Sequence, residues 1–328
     1  MSASNAWTSG PTDSLTDVEG ILVGHHTDME LLSGTTAVLF PEGAAASVDV
    51  RGAAPGTRET DLLQPENLVE DIQGLVLSGG SAFGLDAASG VVQFLLEQGK
   101  GFRIHDHLHV PIVPAAILFD LERGAARGRF PDRSFGYQAA AAATEGPVVC
   151  GSVGAGTGAL AGSLKGGIGT ASLMLPGGIV VSALVALNSA GEVYHPETGQ
   201  LYADAFVPSG WSVGCIEPPP AKRGPQIGQN TTLAVVATNA TLNKTQLKKV
   251  AQMAHDGFAR AIHPVHTLFD GDTVFAVGTK KLALQHPLQL HEVSVAAADV
   301  VLLAIRNAVL EATSEDFPTF KRLLKTGP

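Results

Sequence analysis

The segment whose reading decides the fold is Gly228-Gln229-Asn230-Thr231-Thr232-Leu233-Ala234-Val235-Val236-Ala237-Thr238-Asn239. Its β-branched, apolar run over 232–238 predicts a buried strand. The residues before it, EPPPAKRGPQIGQ at 217–229, have no apolar period and contain three consecutive prolines. They predict an extended linker. Thr231 therefore stands where a loop becomes a strand. If the backbone were cut before it, one residue would carry both a hydroxyl nucleophile and a free α-amine. That amine has a reference pKa of about 7.7–8.0, which suits a general base near neutral pH.

Downstream, Asn243-Lys244-Thr245-Gln246 resembles a capping box, with Asn in place of Ser or Thr. Leu247, Val250, Ala251, Ala254, Phe258, Ala261 and Ile262 keep helical spacing, and Pro264 stops the helix. A strand at 273–277 and an apolar helix at 293–310 follow. Upstream, residues 1–17 read as a polar arm. Strands are expected at 21–23, 35–39 and 74–78. The last leads through Gly79-Gly80-Ser81 into a helix at 82–98. Residues 104–110 alternate as a strand would. A glycine-dense β region begins at 148. The strand at 179–187 is closed by Asn188-Ser189-Ala190-Gly191, which reads as a hairpin turn. Strands come in runs and helices in a few long pieces, with no regular βαβ rhythm. The order argues for an α+β chain, with helices packed on antiparallel or mixed sheets.

The 328 residues are 45% hydrophobic and 16% charged, which suits one large domain or two intimate ones. Aromatic residues make up only 5%, so Ala, Val, Leu and Ile must build the core. A net charge of −10 and the lack of a basic stripe argue against a nucleic-acid partner. Cys150 and Cys215 make no disulfide framework and read as buried, reduced thiols. The N-terminus lacks the basic and apolar regions of a signal peptide, and the apolar run at 179–187 is too short to span a bilayer. A cytoplasmic protein without a membrane partner is expected.

Several constellations carry chemistry, each beside a plainer reading. Gly154-Ala155-Gly156-Thr157-Gly158-Ala159 matches a loose dinucleotide pattern. The chain after it is too glycine-dense for the required helix, and no acid follows at the right distance. Tight turns are the alternative. Lys165, inside that apolar run, follows Leu164 rather than Gly, so it is no P-loop lysine. A lysine there suits an active site, because burial moves its pKa. Ser81 lacks the second glycine of a nucleophile elbow and reads as a helix cap or close packing. His105, His107 and His109 could share one strand face as metal ligands, but one wet strand face explains them without a metal. Asp270 and Asp272 precede an apolar strand, with both carboxylates on one side. They could orient an amine or hydroxyl, or could be a solvated turn.

Together these segments resemble the self-processing N-terminal-nucleophile amidohydrolases. That group includes the D-aminopeptidase DmpA, the β-aminopeptidases and the nylon-oligomer endo-hydrolases. The resemblance runs through Val18–His25, Leu77–Leu85, Gly151–Gly158, Lys165–Thr170, Asn230-Thr231-Thr232, Met253–Gly257 and Pro264–Thr273. It implies an αββα sandwich formed by one self-processed domain. The Asn230–Thr231 bond would be cut to leave a 1–230 α-chain and a 231–328 β-chain, associated within a homo-oligomer such as a tetramer. It implies Thr231 as nucleophile and Asn188 as oxyanion donor. Lys165, Asp270 and Asp272 would hold and polarise the nucleophile, Tyr137 would line the cleft, and no metal or organic cofactor would take part. The Thr nucleophile and the Asp270/Asp272 pair are similar to the nylon-oligomer hydrolases, which implies 6-aminohexanoate-type linear amides as substrates. An aminopeptidase acting on N-terminal D- or β-residues is the alternative within the family. A non-catalytic or dinucleotide-binding protein is the alternative outside it.

Overall fold

The computed structural model describes residues 7–219 and 230–325. Most of the expected linker, with Gly228 and Gln229, lies outside the described residues. In chain order the main elements are β1 (Leu22–Asp28), β2 (Ser33–Val50), β3 (Asp71–Ser78), α1 (Ala87–Glu97), β4 (Ala115–Ile117) and α2 (Arg133–Ala141). They continue as β5 (Gly167–Met174), β6 (Val180–Leu187), β7 (Leu233–Ala240), α3 (Lys244–Ala261), β8 (Thr273–Leu282) and α4 (Leu288–Glu311).

The strands form two packed layers joined by β2. Its first part pairs antiparallel with β1 and β3, and its last part pairs antiparallel with β8. The register against β3 jumps between Leu39 and Ala44. Pro41, which cannot donate to a ladder, and Gly43, with φ of +78°, lie in that gap. β5, β6, β7 and β8 lie side by side in that order. The β7–β8 and β3–β4 pairs are parallel. The sheet is therefore mixed, as the element order suggested, and β7–α3–β8 is one local βαβ unit.

Alternation along β7 shows why its sequence is apolar throughout. Ala234 and Val236 face α3 and α4, whereas Leu233, Val235 and Ala237 face the other strand layer. A strand covered on both faces has no polar side. Ala37, Leu39 and Val76 of the second layer pack on α1 and α2. The result is the αββα sandwich that the resemblance implied.

The helix α3 opens on the expected capping box: Asn243 Oδ1 accepts from Gln246 N, and Gln246 Oε1 accepts from Asn243 N, both at 2.9 Å. Among the described residues α4 is the one helix long and apolar enough to cross a membrane. Most of its apolar length is buried between α3 and the sheet, which accounts for that composition.

Four local expectations are corrected. Residues 7–17 are anchored: Leu15 is buried, and the Asp17 carboxylate accepts from Thr12 N and Ser14 N. Residues 104–110 form a hairpin, Phe102–His105 with Leu108–Val110, so His105, His107 and His109 do not share a strand face. Asn188–Gly191 is not a hairpin turn, because β6 pairs with β5 and β7. Cys150 and Cys215 are free but only half-buried.

The helices α1 and α2 meet through Gly90 and Gly136. A methyl group on Gly136 would press into the carbonyl oxygen of Ala87. Alanine would gain about 1 kcal/mol of helix propensity. Overpacking against a helical carbonyl that cannot yield costs roughly 1–3 kcal/mol or more, and should win. Gly136→Ala should therefore lower the midpoint of urea unfolding at unchanged slope. An unchanged or raised midpoint would show that the interface gives way.

Candidate active site

Three strand ends create the site. β5 begins opposite the end of β6, with Gly167 paired to Leu187. β6 runs antiparallel to β7, with Ala186 paired to Leu233. β7 runs parallel to β8, with Leu233 paired to Thr273. These registers bring the residues just after β6 and just before β5, β7 and β8 to one edge. They are Asn188, Lys165, Thr231 and the Asp270–Asp272 loop.

Thr231 is buried and held on three sides. Its N–H donates to Asn188 O at 2.6 Å. Its Oγ1 lies 2.5 Å from Asn230 O, to which it donates, and accepts from Gly271 N at 3.1 Å. The hydroxyl is thus pressed against the peptide group that precedes it, with a backbone donor behind it. Asp272 Oδ1 accepts from Thr232 N at 2.7 Å. Asp272 Oδ2 accepts from His266 Nδ1 at 2.8 Å, so that ring carries its proton on Nδ1. Asp270 Oδ2 accepts from Thr267 N and Oγ1, and Oδ1 from Ala190 N at 3.3 Å. Burial, then the neighbouring Asp272, raises the Asp270 pKa. The two acids act as struts: one ties the β6 exit to the loop, the other ties the loop to β7. They lie before β8 rather than along it, and each carboxylate has its own partners.

The Asn188 backbone holds Thr231 N, and its side chain has partners of its own. Oδ1 accepts from Leu160 N at 3.0 Å and Arg123 Nη1 at 3.1 Å, and Nδ2 donates to Phe119 O at 3.2 Å. Lys165 Nζ donates to the carbonyls of Gly156, Ala159 and Gly166 at 2.8–3.0 Å. Burial, then the Arg123 charge, pulls its pKa down to about 7, against the opposing pull of Asp120. Lys165 therefore reaches the same edge, but its hydrogen bonds go to backbone carbonyls rather than to the Thr231 hydroxyl. The glycine run of 154–158 supplies one of those carbonyls, that of Gly156. It forms a short 3-10 turn with no helix after it, which removes the structural basis for a dinucleotide site.

Tyr137 is corrected. It sits on α2, where its hydroxyl donates to Glu97 at 2.8 Å and its ring packs on Phe94 of α1. Both partners lie in the outer helix layer, on α1. Near the site the chain instead offers Phe119, Asp120 and Arg123, just after β4. Sequence reasoning missed these, along with His266. The one signal was an acid and a base three positions apart, shortly after an apolar strand. Arg123 and Lys165 also line a cavity of about 770 Å³, with Thr157, Glu315, Phe317 and Arg322. Among the described residues no group of three or more His, Cys, Asp or Glu side chains could hold a metal.

The Lys165 shift has a definite sign for stability. Below about pH 7 the ammonium is charged in both states, and its burial costs the folded chain in full. Between about 7 and the reference 10.5 the unfolded chain binds more protons, so stability rises with pH. Lys165→Met removes this dependence. Urea unfolding at pH 7 to 10 should show wild type gaining on K165M, by at most about 1.4 kcal/mol per pH unit. A flat difference would mean that Lys165 keeps its charge through that range.

Comparison with known proteins bears on family and fold. The model of peptidase family S58 matches residues 13–319. An uncharacterized aminopeptidase of Mycobacterium tuberculosis is 41% identical over 94% of this chain and 97% of its own. The 6-aminohexanoate-oligomer endohydrolase of Paenarthrobacter ureafaciens is 29% identical over 82% of this chain and 75% of its own. Among solved structures, the L-aminopeptidase D-Ala-esterase/amidase of Ochrobactrum anthropi superposes with a TM-score of 0.74 at 24% identity, over 97% of this chain and 91% of its own. That structure is described as a variant of the N-terminal-nucleophile hydrolase fold. A Burkholderia sp. β-aminopeptidase gives 0.73 at 22%, over 98% of this chain and 96% of its own. The fold is thus the N-terminal-nucleophile hydrolase fold, and the activity is hydrolysis of amide bonds. The chain belongs to peptidase family S58.

Proposed function

We propose that this chain cuts its own Asn230–Thr231 bond and then uses Thr231 as an N-terminal nucleophile on linear amides. The observation that carries the reading is Thr231 Oγ1 lying 2.5 Å from Asn230 O, with Gly271 N donating to it from behind. In the first stage Oγ1 attacks the Asn230 carbonyl carbon. The C–N bond breaks, the proton passes to the Thr231 nitrogen, and an ester joins the two parts. Water hydrolyses the ester and leaves chains 1–230 and 231–328. In the second stage the new α-amine takes the Oγ1 proton as Oγ1 attacks a substrate amide. The leaving amine takes the proton, and water releases the acyl group. Asn188 is suited to steady the oxyanion through its side-chain amide. Asp270 and Asp272 hold the loop that carries Gly271, and Lys165 adds positive potential.

The favoured substrates are 6-aminohexanoate-type oligomers, in keeping with the Thr nucleophile and the Asp270/Asp272 pair. The names of the 41%-identical relatives favour a second reading, an aminopeptidase; N-terminal D- or β-residues would be its substrates. A homotetramer working in the cytoplasm on a small amide, without nucleic acid or membrane, completes the proposal.

Purified wild type should run as two bands on a denaturing gel, and an intact-mass measurement should place the cut at Asn230–Thr231. Thr231→Ala should run as one band and lose about a thousandfold or more in kcat. A single full-length band from active wild type would overturn the reading. Assay of a linear 6-aminohexanoate trimer beside D- and β-aminoacyl p-nitroanilides separates the two substrate classes.

A further inference from the structure

The mechanism above leaves one charged side chain without a role, although it sits on a residue the mechanism needs. Arg123 Nη1 donates to Asn188 Oδ1 at 3.1 Å and also to Gly158 O. Leu160 N donates to the same Oδ1 at 3.0 Å. Two donors at one end of the amide settle its orientation. A flipped amide would turn its NH2 group against both of them. The Nδ2 end is thereby directed away from Arg123, towards Phe119 O.

The bond does more than orient. A hydrogen bond from a cation is roughly twice as strong as a neutral one. Drawing electron density towards Oδ1 polarises the amide and makes Nδ2 a better donor, because linked hydrogen bonds reinforce one another where the dielectric is low. An oxyanion donor gains from both effects, since it must be aimed before charge develops.

The guanidinium is itself supported. Asp120, fully buried three residues earlier, supplies an opposite charge and is fixed by Gly80 N at 2.7 Å from its Oδ1. Lys165, the other cation nearby, is turned onto three carbonyls and makes no bond to Asn188.

We propose that Arg123 is a positioning residue that locks and polarises the Asn188 side-chain amide, with Asp120 as its buried counter-charge. The inference rests on the proposed roles of Thr231 and Asn188.

The test uses the full, matured protein and the amide substrate that wild type turns over. Arg123→Gln should lower kcat about 10–100-fold, less than the full loss of an oxyanion donor, with KM within about twofold. Guanidinium ion at millimolar concentration should restore part of kcat to Arg123→Gly and none to Asn188→Ala. In an Asn188→Ala background, Arg123→Gln should have little further effect. A KM increase alone, equal effects in both backgrounds, or a wild-type kcat for R123Q would each overturn the inference. Should R123Q not fold, Arg123→Lys carries the same comparison, because it keeps the charge but loses the planar fork. Thr231→Ala separates the two levels. Turnover by T231A would remove the nucleophile reading itself, whereas an inert T231A beside a fully active R123Q would remove only the Arg123 inference.

Discussion

The parallel pairing of β7 with β8 is the constraint on which the site depends. Parallel neighbours start at the same end, so the loop entering β8 must lie beside the residue entering β7. Asn230 bridges Asp270 in that direction, two Asp–amide bonds brace the loop, and Gly271 N reaches the Thr231 hydroxyl. An antiparallel pair would have sent Asp270 and Asp272 to the far end of the sheet. The crossover through α3 makes the parallel pair possible, and the capping box of α3 with its buried Phe258 face keeps that crossover in place.

Around this frame the protein buries charge that it would be cheaper to replace. Asp120 is fully buried and its pKa rises to about 6; Arg123 is pulled down to about 10 and Lys165 to about 7. Burial is the largest cause in each case, and the opposite charges offset only part of it. Buried ion clusters are weak stability devices, since apolar residues of like volume often serve as well. Their concentration beside Asn188 and Thr231 fits a catalytic use instead, where fixed dipoles and charges in a water-poor setting act on a developing oxyanion.

How much of this was legible depended on whether the signal was local. The α3 cap, the strand at Thr231 and the apolar α4 each follow from short-range spacing. Of β2 only 35–39 is expected as strand; in the fold Pro41 and Gly43 mark a bulge through which one long strand serves two layers. Asn188–Gly191 looked like a hairpin turn, yet the partner of β6 is β7, far along the chain, and pairing at that range leaves no mark in a short window. The histidines of 104–110 kept strict alternation, but a tight turn at Asp106–His107 interrupts it. Thr231, Lys165, Asn188 and the acid pair were singled out by chemistry and likeness. Arg123 and His266 touch Asn188 and Asp272 rather than Thr231, and the one mark of Arg123 in the sequence was the acid three positions before it. Tyr137 shows the opposite failure: a tyrosine near a suitable motif, carried by helix packing to the outer layer.

The uncut chain also bears on when the site can open. Asn230 O is hydrogen-bonded to Thr231 Oγ1, and Asn188 O holds the Thr231 nitrogen as an amide. In the proposed reaction a substrate carbonyl needs the place beside Oγ1 that Asn230 now fills. The base that serves it does not exist until the same bond is cut. In that proposal position and base are withheld together, by one peptide bond, and both would be released by one event. The donors that must serve afterwards, Gly271 N and the Asn188 amide, are already fixed by partners on separate elements. Cutting the bond need not rebuild the site; it removes an occupant and creates an amine.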